Sequence, residues 1–249
     1  MSLLETRTLT CRRGGRLVLD RVSFALDGGE ALLLSGANGS GKSTLLRCLA
    51  GLLPPAGGTI LWQGRDISQA PDAHRARLAW LGHHDGLTQA LTTVETLRYA
   101  SGLDGLAAAP AARRIERALN AFAIAPLADV PVRLLSAGQR RRVALARLLV
   151  SPAPLWLLDE PTTGLDGDST AALELALARH RAGGGLVVVA SHLALDLPAP
   201  RELALDEPDY PPDTLPPDIL PSDPSDRPTG TATIPGDQSG ATDQNGPVP

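Results

Sequence analysis

The sequence predicts an α/β protein built on a parallel β-sheet, with a helical subdomain inserted over about residues 86–150. The first observation is an apolar strand at residues 31–35 that runs into a glycine-rich turn and then into a helix. The second is the order strand, turn, helix, strand over residues 155–191, a βαβ unit whose strands lie parallel and whose sites lie at their carboxyl ends. The third is the loss of strand patterns between about residues 86 and 150.

Short apolar runs bounded by Gly, Pro or Asp predict the individual strands. They lie at residues 3–9, 22–26, 30–35, 59–62, 78–81, 155–159 and 186–191. Helical periodicity predicts helices at residues 42–50, 93–101, 111–122 and 137–149. The second and fourth of these helices begin with Thr92-x-x-Glu95 and Ser136-x-x-Gln139, the pattern typical of a capping box.

A phosphate-binding loop, G-x-x-x-x-G-K-[ST], lies between the strand at residues 31–35 and the following helix. Its residues are Gly36, Ala37, Asn38, Gly39, Ser40, Gly41, Lys42, Ser43 and Thr44. The glycines allow backbone N–H groups to surround phosphate oxygens, and the helix directs its positive end towards them. We expect Lys42 to reach the β and γ phosphates and the Ser43 hydroxyl to bind Mg²⁺. The alternative is a glycine-rich turn that only caps a helix.

Lys42 is the only lysine among the 23 basic residues of the chain, and the other 22 are arginines. A planar guanidinium cannot replace a compact ammonium ion between two phosphates. The single exception therefore falls where phosphate chemistry requires it, which supports a nucleoside triphosphate such as ATP as the ligand.

An apolar strand at residues 155–158 ends in Asp159 and Glu160. We expect Asp159 to hold the Mg²⁺ shell together with Ser43, and Glu160 to polarise the attacking water. A solvated acidic strand end is the alternative. His192 follows the neighbouring strand and is expected to contact the γ-phosphate from there, although a lone histidine at a strand end is more often structural.

Leu135-Ser136-Ala137-Gly138-Gln139, followed by Arg140–Arg142, resembles the signature segment of ABC transporter ATPases. The resemblance implies a P-loop NTPase fold with a RecA-like core, an antiparallel β subdomain and an inserted helical subdomain. It also implies a head-to-tail homodimer, in which Ser136, Gly138 and Gln139 act on the ATP of the opposite protomer. The three arginines are interpreted as a solvated helix face with some anion contact, and specific recognition of nucleic acid is the alternative.

Two positions depart from the pattern of that family. Arg13 stands where ABC proteins place an aromatic side chain that stacks on adenine, and a guanidinium can also stack. His83 stands at the position of the usual Gln before the helical subdomain, where its neutral nitrogen would face water or the metal.

Within the ABC family, several segments resemble the ATP-binding subunit of the haem exporter of cytochrome c maturation. They are Gly82-His83, Ala137 inside the signature, and residues 60–64, and the resemblance covers about residues 1–206. It implies integral membrane subunits of the exporter as partners, with the chain on the cytoplasmic face of the inner membrane. The ATPase of another small exporter, for a lipid, lipoprotein or drug, and a soluble ABC ATPase are the alternatives.

Composition bounds these expectations. The formal net charge is −4, of which residues 207–249 contribute eight acids and one arginine, so residues 1–206 are close to neutral and predict no nucleic-acid partner. Residues 207–249 are rich in Pro and Asp, and we expect a disordered tail after an ABC domain at residues 1–206. The N-terminus carries an acid and a base and does not resemble a secretion signal, and no apolar run is long enough to span a bilayer.

Overall fold

The computed structural model describes residues 2–193 and 195–205. The predicted tail, residues 207–249, lies outside the described residues, and the boundary at residue 206 stays a prediction. The predicted α/β class is confirmed, because helices alternate with the strands of a five-stranded parallel sheet. A four-stranded antiparallel sheet accompanies it.

The antiparallel sheet has the order β2-β1-β4-β5. Its strands are β1 (Leu4–Arg13), β2 (Arg16–Leu26), β4 (Gly57–Trp62) and β5 (Arg65–Asp66). The β1–β2 hairpin pairs Arg13 with Arg16 at its tip. Strand β2 begins six residues before the predicted start, because its first part, which contains the apolar residues Leu17, Val18 and Leu19, pairs with β1 as the second arm of a hairpin.

The parallel sheet has the order β6-β7-β8-β3-β9. Its strands are β3 (Ala31–Ser35), β6 (Leu78–Leu81), β7 (Leu155–Asp159), β8 (Leu186–Ala190) and β9 (Arg201–Ala204). Every residue of β7 and β8 is buried. Because the sheet is covered on both faces at its centre, β7 and β8 are continuous apolar runs rather than alternating ones.

Six α-helices accompany the sheets within the described residues. They are α1 (Lys42–Leu49), α2 (Pro71–Arg75), α3 (Thr93–Leu103), α4 (Ala108–Ala121), α5 (Ala137–Val150) and α6 (Gly167–Ala182). Both predicted capping boxes are confirmed. The side chains of Thr92 and Ser136 accept from the backbone N–H groups of Glu95 and Gln139, whose side chains accept from the backbone N–H groups of Thr92 and Ser136 in return. Helix α4 starts three residues earlier than predicted, because Pro110 is tolerated in a first turn that needs no N–H donor.

Two apolar cores lie on opposite faces of the parallel sheet. Trp156, Leu158 and Val189 face α3 to α6, whereas Leu155, Leu157 and Val188 face α1 and the antiparallel sheet. The phosphate loop is therefore supported from the second core, and the signature helix α5 from the first. No helix among the described residues is long and apolar enough to cross a membrane.

Candidate nucleotide-binding site

The phosphate loop connects β3 to α1 and adopts a conformation that glycine permits. Gly36, Gly39 and Gly41 have φ angles of 133°, 92° and 103°, a region that L-residues with side chains rarely adopt. At Gly36 an added Cβ would collide with the carbonyl oxygen of Leu205 and lie 2.7 Å from Ser40 Oγ. Residues 36–39 are exposed, so the loop opens to solvent.

Lys42 lies across the loop and is only 8% exposed. Its Nζ donates to the carbonyl oxygens of Gly36 at 2.7 Å and Ala37 at 2.9 Å. Ser43 follows in the first turn of α1 and is partly buried, and Thr44 is buried. The ammonium ion and the Ser43 hydroxyl are thus held at the N-terminal end of α1, where the helix dipole favours an anion.

The two acids lie at the carboxyl end of β7, and β8 separates this strand from β3. Asp159 is 5% exposed. Glu160 has a φ angle of 49°, an uncommon left-handed conformation for a residue with a side chain. The N–H of Glu160 donates to the carbonyl oxygen of Ala190 at 2.8 Å, which fixes the turn against β8.

His192 contacts Glu160 directly. Its Nδ1 lies 2.7 Å from Glu160 Oε2, and its backbone N–H donates to the same oxygen at 3.4 Å. The His192 side chain is 56% exposed and that of Glu160 17%. The sequence placed His192 just after a strand beside β7, and the structure adds its direct contact with the Glu160 carboxylate.

Ser136, Gly138 and Gln139 form the start of α5. Gln139 N donates to Ser136 Oγ at 3.2 Å, and Ser136 N donates to Gln139 Oε1 at 2.8 Å. A Cβ added at Gly138 would lie 3.6 Å from the Gly164 carbonyl oxygen. Within residues 2–193 and 195–205, no hydrogen bond of Ser136 or Gln139 reaches the phosphate loop, and Ser136 is exposed.

Arg13 and His83, the two residues that depart from the family pattern, lie in different elements. Arg13 is exposed at the tip of the β1–β2 hairpin, and β2 reaches the phosphate loop through Val18 and Leu19, whose atoms crowd the Cβ position of Gly41. His83 is exposed just after β6, and its ring lies 5.3 Å from that of His84. Neither arrangement involves a hydrogen bond to the phosphate loop in the part of the chain that the structure describes.

Sequence reasoning missed two elements of the site. The interpretation of Arg140–Arg142 as a solvated face is wrong for Arg141, which is 6% exposed and bonded to the end of β7. Three consecutive arginines at a helix start offer no pattern that singles out the buried one. The second is β9, which pairs with β3 and brings the Leu205 carbonyl oxygen against Gly36.

The chain was compared with known proteins. A family model for ABC transporters matches residues 19–163. The cytochrome c biogenesis ATP-binding export protein CcmA of Paramagnetospirillum magneticum is 50% identical over 206 residues, which cover 83% of this chain and 95% of that protein. Its counterpart from Rhodospirillum rubrum is 50% identical over 198 residues, covering 80% of this chain and 83% of that protein.

Solved structures agree with these matches. The ATP-binding subunit of an ABC transporter superposes with a TM-score of 0.72 at 31% identity, covering 77% of this chain and 80% of that one. An ABC transporter ATP-binding protein from Pyrococcus furiosus superposes with a TM-score of 0.70 at 25% identity, covering 81% of this chain and 96% of that one. The chain therefore belongs to the ABC transporter family and, within it, to the cytochrome c biogenesis ATP-binding export proteins.

Proposed function

We propose that this chain is the ATP-hydrolysing subunit of the haem exporter of cytochrome c biogenesis, and that its ATP cycle drives release of a haem-loaded chaperone. The observation that carries the proposal is 50% identity to cytochrome c biogenesis export proteins over 206 residues, a stretch that includes the whole candidate site. The geometry of Lys42, Asp159, Glu160 and His192 supports an active ATPase rather than a nucleotide sensor.

In this proposal the phosphate loop holds ATP. The N–H groups of residues 36–44 surround the β and γ phosphates, and Lys42 exchanges its bonds to the loop carbonyls for bonds to phosphate oxygens. Arg13, exposed at the tip of the β1–β2 hairpin, stacks on the adenine ring.

Ser43 and Asp159 are hard oxygen ligands of the kind that Mg²⁺ prefers, and Mg²⁺ takes only one or two protein ligands besides phosphate and water oxygens. This fits the residues present, since Ser43 and Asp159 supply two such oxygen ligands. Bound Mg²⁺ would neutralise charge that develops on the phosphates. We also propose that His83 faces water in this shell.

Glu160 polarises the attacking water, and His192 keeps its carboxylate aligned. The contact of 2.7 Å between His192 Nδ1 and Glu160 Oε2 leaves the other carboxylate oxygen for the water. An aligned base contributes to the rate because proton transfer needs hydrogen-bond distance in the reacting geometry.

Hydrolysis in this proposal needs a second copy of the chain. Ser136 is exposed at the start of α5, where backbone donors and the helix dipole favour an anion. Because its own bonds stay within the capping box, we propose that Ser136, Gly138 and Gln139 meet the γ-phosphate bound to the partner chain in a head-to-tail homodimer.

We further propose that the dimer binds integral membrane subunits and thereby lies on the cytoplasmic face of the inner membrane. Tyr99 and Leu103 are 61% and 71% exposed. Large apolar side chains exposed one turn apart on α3 are typical of a protein-binding surface.

The test is a strain that lacks this chain. It should grow fermentatively but show no haem-stained c-type cytochromes, and the wild-type gene should restore them whereas Lys42→Ala or Glu160→Gln should not. Normal cytochrome c in the deletion strain, with a defect in lipid, lipoprotein or drug export, would instead assign the chain to another exporter.

A further inference from the structure

We propose that Arg141 is a positioning residue for hydrolysis, whose guanidinium fixes the backbone of Glu160 and ties it to the loop that follows β6. The inference rests on the proposed function, since it presumes that Glu160 polarises the attacking water. Arg141 would be a further residue of the hydrolytic site, and it belongs neither to the phosphate loop nor to the strand-end acids nor to the signature residues.

The side chain of Arg141 is buried and bridges three segments. It starts on α5, where the residue is 6% exposed. Its Nη2 donates to the carbonyl oxygens of Glu160 at 2.5 Å and Asp159 at 3.5 Å, at the end of β7. Its Nη1 donates to the Gly82 carbonyl oxygen at 3.4 Å and lies 3.0 Å from Asp85 Oδ1.

Glu160 needs such support because its backbone is strained. With a φ angle of 49°, it occupies a region that persists only where its surroundings enforce it. Four bonds do so: the N–H of Glu160 is bonded to Ala190, the carboxylate to His192, and the carbonyl oxygen to Arg141 and, within the turn itself, to the N–H of Thr163 at 3.3 Å. The first two belong to β8 and the turn after it, so Arg141 provides the bond from the helical side.

The guanidinium is suited to this task because its donors lie in a fixed plane. One end of the fork bonds the carbonyl oxygens after β7, while the other bonds Asp85, whose carboxylate balances the buried charge. A lysine could pair with Asp85, but a single ammonium ion could not hold both ends in this geometry. The side chain therefore links residues 82–85 directly to the backbone of Glu160.

Arg147 provides a matched control on the same helix. Its Nη2 donates to the Asp85 carbonyl oxygen at 2.9 Å and its Nη1 to that of Gly86 at 3.0 Å. These bonds tie α5 to the same loop, but among the described residues they do not extend to β7. Loss of Arg147 removes two bonds between α5 and this loop, and neither of them involves Glu160.

The experiment measures ATP hydrolysis, ATP affinity and melting temperature for Arg141→Gln, Arg141→Lys and Arg147→Gln, each as the full chain co-purified with its membrane subunits. We expect both Arg141 variants to lose about 10- to 100-fold in kcat, with ATP affinity within about 2-fold of wild type. Arg147→Gln should keep kcat within about 2-fold. Arg141→Lys should also recover the melting temperature that Arg141→Gln loses, without recovering kcat.

The comparison between melting temperature and kcat decides the question. If Arg141 had only a structural role, Arg141→Lys would recover the melting temperature and kcat together. That result, or an equal loss of kcat in Arg147→Gln, would overturn the inference. If Arg141→Gln does not fold, Arg141→Lys alone decides. Absence of ATP hydrolysis by the wild type would refute the proposed function instead, whereas wild-type kcat in the Arg141 variants beside an inactive Glu160→Gln would refute only this inference.

Discussion

Removing the ammonium group of Lys42 should stop hydrolysis without unfolding the protein. In the structure this group makes two charged hydrogen bonds, at 2.7 and 2.9 Å, to carbonyl oxygens of the loop. If it makes the same number of bonds to phosphate oxygens in the transition state, Lys42→Ala removes a preorganised donor worth about 3–4 kcal/mol. The corresponding loss in kcat is about 100- to 1,000-fold.

Lys42→Arg should fail as well, although it keeps the charge. The side chain is 8% exposed and its nitrogen already contacts two carbonyl oxygens, so a planar guanidinium has no room without displacing the loop. Arg47→Ala is the control, because Arg47 is exposed in the last turn of the same helix.

The assay is phosphate release by the full chain co-purified with its membrane subunits, with circular dichroism to verify that each variant folds. We expect Arg47→Ala to match the wild type and both Lys42 variants to lose at least about 100-fold. Wild-type turnover by a folded Lys42→Ala protein would refute the assignment of residues 36–44 as the phosphate-binding loop.

Three further predictions concern the base, the core and the response to acid. Glu160→Gln should bind ATP without hydrolysing it and should accumulate as a dimer in gel filtration with ATP; a monomer at saturating ATP would contradict the two-chain site. Phe122→Ala should lower the free energy of unfolding by about 3–5 kcal/mol in urea titrations, because Phe122 is 1% exposed and its removal leaves a cavity under α4. Burial lowers the pKa of both His74 and His180 below the ordinary value of 6.5. The unfolded chain then binds more protons, so stability is complete above pH 6.5 and declines as the pH falls towards the folded-state values; an unchanged urea midpoint between pH 7.5 and pH 5.5 would contradict this.

Most of the fold could be predicted because the sequence carries strong local signals. Strands β6 and β7 lie at the predicted positions since each is a short apolar run bounded by breakers. The starts of α3 and α5 were predicted to the residue, because a capping box is a local interaction between a helix cap and the third helical residue.

The elements that could not be predicted depend on contacts between distant parts of the chain. Strand β9 contains Arg201 and Glu202 and shows no alternation, and it forms only because β3 offers it a free edge. Burial of Arg141 depends on the end of β7 and on Asp85, which lie 18 and 56 residues away along the chain. Local composition contains no information about such partners.

The contact between Glu160 and His192 was predicted only in part. The sequence placed Glu160 and His192 on separate strands and gave each a role at the γ-phosphate. Their direct contact at 2.7 Å depends on the order β7-β8 in the sheet and on the left-handed turn at Glu160, neither of which has a sequence pattern of its own.

The absence of any lysine other than Lys42 makes the chain unusually simple to probe by chemical labelling. Amine-directed reagents have two targets, the α-amino group and the Lys42 side chain, and the latter lies at the bottom of the phosphate loop. A mass shift on the peptide that contains Lys42 therefore reports how accessible that loop is. The same measurement made inside intact membranes would follow nucleotide occupancy during transport without a fluorophore or an introduced cysteine.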